Sequence, residues 1–226
     1  MSIQRALKIH SQDRVWLFIP FIILGVSFLF GLTIGLLIPG VEKILISGFS
    51  YILVYMFVMG VAGFNQTFAY AMGMSVRRTD YFISFSLTGL RSSLLFAILY
   101  IVLAVAEHFT QGWGNTLIFF KFPYLNDGNI LEQLVIYFLG FVNFFFLGLF
   151  IAIFTKRYAL KGLLILGLSL LFLITIAVLL TTYYEAWVDL FQWFAQHTAF
   201  QLSMWLIPLS LLYAIVSFLM IRRTAV

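Results

Sequence analysis

The chain has no cysteine and very little charge. Without cysteine there is no disulfide, no thiolate nucleophile and no thiolate metal site. Charged residues make up 9% of the 226, against about 25% in an ordinary soluble domain, so a solvated surface of normal size is excluded. Stretches of about ten residues alternating apolar with polar are also missing, which excludes a transmembrane barrel. What fills the chain is apolar: 63% hydrophobic residues and a mean hydropathy of +1.09. Its apolar runs exceed the ~18–20 residues that a helix needs to cross the hydrocarbon core. The expected fold is an all-α integral membrane bundle, a single transmembrane domain over 1–226.

Six segments are long and apolar enough to span: about 15–38, 44–66, 81–106, 130–154, 161–182 and 201–221. Pro39 and Gly40 end the first, and Pro208 is expected to kink the last. The cations divide unevenly over alternate sides. Arg5, Lys8, Arg14, Arg77, Arg78, Arg91, Lys156, Arg157, Lys161, Arg222 and Arg223 share one side; only Lys43 and Lys121 fall on the other. The positive-inside bias then places both termini in the cytoplasm. In a soluble protein the net charge of +5 would suggest nucleic acid; here it sets orientation, and no nucleic-acid partner is expected. The start, MSIQRALKIHSQDRVW, is polar and basic and precedes a run too long for a signal h-region, so it is expected to be retained.

The loops have character. Residues 1–14 place Ile3, Ala6, Leu7 and His10 on one face and Arg5, Lys8 and Gln12 on another, which reads either as a basic amphipathic helix on the cytoplasmic surface or as a frayed basic tail. On the outside, 107–129 has an apolar, aromatic middle expected to lie in the membrane interface. Residues 183–200 repeat Trp187, Leu190, Phe191 and Phe194 at helical spacing, as an interfacial helix does. Trp113, Trp187, Trp193 and Trp205 are expected in an outer aromatic belt. Glu107 and Glu132 are expected at the outer ends of spans three and four, where water reaches them.

One interruption stands out: FAYAMGMSVRRTDYF at 68–82, on the cytoplasmic side. Phe68, Met72 and Val76 are spaced by four and form an apolar stripe. Gly73 and Ser75 supply a bend, and Arg77, Arg78 and Asp80 mark the return to the membrane. Topology alone accounts for a basic loop here, and attraction to anionic lipids adds about 1 kcal/mol per basic residue. The residue order says more. Phe68, Gly73, Ser75, Arg77, Arg78, Asp80, Tyr81 and Phe82 resemble the first cytoplasmic loop of ABC transporter permeases of the type-2 exporter class. The close resemblance covers about fifteen residues, and the architectural one the whole chain.

That resemblance implies a transport subunit with no catalysis of its own. Residues 68–80 would be a coupling helix docking into a groove on a separate ATPase, and two permease chains, identical or related, would pair with two ATPases. ATP and Mg would belong to the partner. Consistently, no G-x-x-x-x-G-K-[ST] occurs in this chain. Phe68 and Met72 would be knobs in the ATPase groove, Gly73 would bend, Arg77 and Arg78 would pair with carboxylates or lipid phosphates, and Asp80 would cap span three. Cargo would be amphipathic or apolar: an antimicrobial peptide, a drug or a lipid. A different class stays open, an ATP-independent carrier or a sensor and assembly protein, which would tolerate changes at 68–82.

Arg91 departs from the family pattern by falling within span three. Three readings stand: its side chain snorkels to the inner headgroups, the span starts later, near Ser84, so that Arg91 is shallow, or it lines a substrate path. Asn65 and Gln66 are further path candidates. The second cytoplasmic stretch, TKRYALK at 155–161, reads as a loop carrying topology signals. His10, His108 and His197 show no metal-ligand spacing, and no carboxylate pair lies at membrane depth, so neither a metal centre nor a membrane enzyme is expected.

Overall fold

The computed structural model describes residues 15–37, 44–110, 112–113, 117–122, 124–126 and 128–222. The expected amphipathic stretch at 1–14, the helix end at Pro39 and Gly40, and Lys43, Asp127 and Arg223 lie outside these residues.

Apolar side chains without breakers make long helices. Helix α1 is Val15–Leu37, α2 Gly48–Gly73, α3 Arg78–Phe109, α4 Ile130–Tyr183, α5 Trp187–Gln196, α6 Ala199–Met204 and α7 Leu206–Ile221. Among the described residues, five stretches are long and apolar enough to cross a membrane: α1 over Phe18–Gly35, α2, α3, α4, and α6 with α7 over Ala199–Ile221. The expected fourth and fifth spans are joined. Helix α4 has 54 residues, about 80 Å at 1.5 Å per residue, more than twice the hydrocarbon core. It is broken at Ala159, whose φ of 56° and ψ of −168° are not helical. The expected loop at 155–161 is therefore a single-residue break: Thr155, Lys156, Arg157 and Tyr158 continue the helix. Each arm, 130–158 and 160–183, is long enough to cross.

Side-chain contacts tie the two ends of the bundle. At one end the Arg78 guanidinium donates to the Arg222 carbonyl at 3.3 Å, and the Lys156 ammonium lies 6.0 Å from the Phe68 ring centroid. At the other, the Tyr124 hydroxyl donates to the His197 carbonyl at 2.8 Å. The chain thus leaves Ala159 beside the basic end and is at the opposite end by His197.

The core forms where α2, α3, α7 and the 130–158 arm meet. Gly60 and Gly148 bring the backbones of α2 and α4 into contact: a Cβ on Gly60 would meet the Phe145 carbonyl and, at 2.8 Å, the Leu149 nitrogen, and one on Gly148 would meet the Phe57 carbonyl. At the same crossing α2 widens into a π turn, Met59–Gly63. Gly89 of α3 admits the Phe145 ring. Around these contacts aromatic rings interlock, among them Tyr100 with Tyr137 at 4.6 Å and Phe85 with Phe145 at 5.3 Å. The 160–183 arm contributes nothing to this core; no residue of it is buried.

One outer feature differs from expectation. The middle of 107–129 turns inward. Leu117 and Ile118 pair in parallel with Ile44 and Leu45, and Leu117, Phe119 and Phe120 are buried. Trp113 packs with them, 5.1 Å from Phe28. Apolar side chains gain more by filling the mouth of the bundle than by staying at the interface. The 183–200 segment does form a helix, Trp187–Gln196, with no buried residue. In the last span the kink precedes Pro208. Proline has no N–H to give the Met204 carbonyl, and the helix breaks at Trp205 between α6 and α7. A capping box at Thr198 and Gln201 starts α6.

Candidate functional site

The basic turn between α2 and α3 is built by a helix stop of definite geometry. Ser75 N–H donates to the Met72 carbonyl at 3.0 Å and Val76 N–H to the Ala71 carbonyl at 3.2 Å. These two bonds, with Ser75 left-handed at φ 58°, are a Schellman motif. Its accompanying apolar pair is Ala71 and Val76, both buried. The bend is thus at Ser75; Gly73 ends α2 in helical conformation. Arg77 is the N-cap of α3, without a side-chain cap bond. Asp80 stands in the first turn rather than at the cap, where a carboxylate favours the positive helix end. The turn is compact; no separate helix lies across the membrane face between Met74 and Arg77.

Phe68 is fully buried. It stacks on Phe64 at 4.9 Å and meets Tyr81 edge-on at 5.5 Å, with Lys156 beyond its ring. A knob for a partner's groove must be exposed, so Phe68 is instead a core anchor for the turn. Thr67 supports it: its hydroxyl donates to the Gly63 carbonyl at 2.7 Å and lies 2.6 Å from the Tyr81 hydroxyl. Met72 is half-buried against the core. Tyr70, Gly73, Ser75 and Arg77 are exposed, and Arg78 and Asp80 are partly so. Of the seven coupling candidates, the accessible set is Gly73, Ser75 and Arg77, with Arg78 and Asp80 at its edge. Tyr70 joins them, 61% exposed and one turn before the stop. Its only sequence signal was its place opposite the buried stripe Phe64, Phe68 and Ala71.

Arg91 is exposed on α3, in a stripe with Ile83, Leu87, Leu94, Leu95, Ile98 and Val102. It forms no ion pair or hydrogen bond among the described residues. Thirteen residues beyond Arg78, it is roughly 20 Å along the helix, close to the level where Gly89 meets Phe145. Asn65 and Gln66 are exposed too, but beside Thr67, which meets Tyr81. Arg91 is ten residues, about 15 Å, from that level. These three path candidates are therefore not one cluster.

Glu107 overturns the expectation of a wetted acid. It is 2% exposed, and its carboxylate accepts from the backbone N–H of Phe119, Phe120 and Lys121 and from the Trp113 indole N–H, at 2.8 to 3.2 Å. Three successive amides form a concave nest for an anion, here filled by the protein's own side chain. No sequence spacing announces it, because it exists only once the loop folds back. Asn126 closes the same region, accepting from Phe122 N–H at 2.8 Å and the Tyr137 hydroxyl at 2.9 Å. Among the described residues no group of His, Cys, Asp or Glu is placed to hold a metal ion. No family model matches the chain, and no curated protein or solved structure is detectably similar to it.

Proposed function

We propose that the chain is the membrane-spanning permease subunit of an ATP-driven exporter in a bacterial cytoplasmic membrane. In this reading α4 crosses twice, giving six spans with both termini cytoplasmic. Two such chains, identical or related, work with separate ATPase subunits that bind ATP and Mg. The observation that carries the reading is the turn at 73–77. It is basic and exposed, and it is fixed to the core rather than floating on it.

A coupling element must transmit force. The Schellman stop, the Phe64–Phe68–Tyr81 aromatic cluster and the Thr67–Tyr81 hydroxyl pair make the turn one body with the lower ends of α2 and α3. Displacement there passes along α2 to the Gly60–Gly148 crossing. The π turn at 59–63 leaves one backbone turn less tightly bonded at that point, where a helix bends at low cost. Arg77, with Tyr70 and Ser75 around it, is the contact surface for the ATPase. The cargo is amphipathic or apolar, an antimicrobial peptide, a drug or a lipid, and Arg91 gives the outward face of α3 a fixed positive charge that suits an anionic group.

Purification from the native membrane in mild detergent, with mass spectrometry of what accompanies the chain, tests the proposal. An ATPase in stoichiometric amount, lost in Arg77→Glu while the permease stays monodisperse, is the expected result. Absence of any ATPase under several mild conditions would favour an ATP-independent carrier or assembly protein.

A further inference from the structure

We infer that the basic end of the bundle holds a specific site for the phosphate headgroup of an anionic phospholipid, between the 130–158 arm of α4 and the end of α7. A cavity of about 510 Å³ opens there, lined by Arg157, Val216, Leu219, Met220 and Arg222. Two arginines line it. Neither forms an ion pair among the described residues, and planar guanidinium forks suit phosphate oxygens. Each is set over a ring of its own helix: Arg157 is 5.1 Å from the Tyr158 centroid and Arg222 6.0 Å from that of Phe218. The Arg78 guanidinium donates to the Arg222 carbonyl, and that bond fixes the backbone from which the Arg222 side chain departs.

The rest of the wall identifies the ligand. Val216, Leu219 and Met220 lie within two turns back along α7 from Arg222, in the direction of the membrane interior. Met220 is buried, while Leu219 is 55% exposed. A bare phosphate would leave these apolar groups unused, and a carboxylate on another protein needs no apolar groove. A phospholipid uses both parts: phosphate on the two arginines, acyl chain along the apolar wall. The site requires only that this end of the bundle stands at headgroup level, so it does not depend on the ATPase.

Native mass spectrometry of the full chain in mild detergent tests this, with phosphatidylglycerol, phosphatidylcholine of the same acyl chains, and inorganic phosphate as probes. We expect one phosphatidylglycerol per chain, held at least tenfold more tightly than phosphatidylcholine and not displaced by millimolar phosphate. Arg157→Gln and Arg222→Gln should each weaken it about tenfold; Arg77→Gln, which removes an exposed cation outside the cavity, should not. Leu219→Trp keeps every charge and fills the groove, so it also should release the lipid, and it serves if a charge variant fails to fold. Equal loss in Arg77→Gln would reduce the effect to general attraction. Unchanged retention in Leu219→Trp, or full displacement by phosphate, would likewise overturn the proposal.

Discussion

Gly60 and Gly148 cross with no side chain between them, the Cβ position of Gly148 lying 3.3 Å from the Gly60 Cα. The atoms around both positions are backbone and cannot rotate away. Gly148→Val should therefore separate α2 from α4, at a cost of at least 2–3 kcal/mol. Thermal unfolding followed by size-exclusion chromatography would show a lowered midpoint. A wild-type midpoint would mean that the crossing has slack.

Phe68 and Arg77 stand nine positions apart at either side of the turn but should fail differently. Phe68→Ala removes a fully buried ring and should cost about 3–5 kcal/mol of stability. Arg77→Glu alters an exposed side chain, should leave the unfolding midpoint within a few degrees, and should lose the ATPase. Measuring stability and co-purification on both variants separates core from contact surface. Loss of the ATPase in neither would remove the turn from coupling.

Ser75 and Ala159 both hold positive φ, 58° and 56°, where a Cβ costs roughly 1–2 kcal/mol. Glycine at either position relieves that strain, set against its larger unfolded-state entropy of about 0.4–1 kcal/mol. Ser75→Gly and Ala159→Gly should be neutral to modestly stabilising. Ser75→Val should be clearly destabilising, since a branched side chain is least tolerated there. Midpoints ordered otherwise would mean that the turns are not left-handed.

Glu107 should behave as a staple for the outer loop. Glu107→Gln keeps the shape but turns an N–H₂ toward backbone donors, and the loss of charge-assisted bonds should cost about 3 kcal/mol. Limited proteolysis is the measurement: cleavage within 113–122 should become fast in the variant. Continued resistance would assign the loop's order to Leu117, Phe119 and Phe120 alone.

Arg91 should matter to transport and not to folding. It touches no described partner, so Arg91→Ala should assemble with the ATPase as the native chain does while export by the reconstituted complex falls several-fold. Unchanged export would leave Arg91 as a snorkelling cation.

Composition and the placement of charge determined much of this protein. Long apolar runs without alternating polarity satisfy their backbone in a membrane by being helices, so the helical class and roughly where the helices lie follow from local sequence, while the joining of 130–154 and 161–182 into one helix does not. The basic residues 77, 78, 156, 157 and 222 do gather at one end, as alternation of charge requires. What local sequence left open was depth and direction. Phe68 reads as a surface stripe by periodicity, yet Tyr81 and Lys156, from two other helices, enclose it. Glu107 reads as a wetted acid, and becomes the anchor of a loop only because Phe119, Phe120 and Lys121 fold back over it. Lys156 and Arg157 read as a loop, but nothing in 155–158 breaks a helix, and the break falls at Ala159. For Phe68 and Glu107 the deciding partners lie elsewhere along the chain, so only the tertiary structure brings them near.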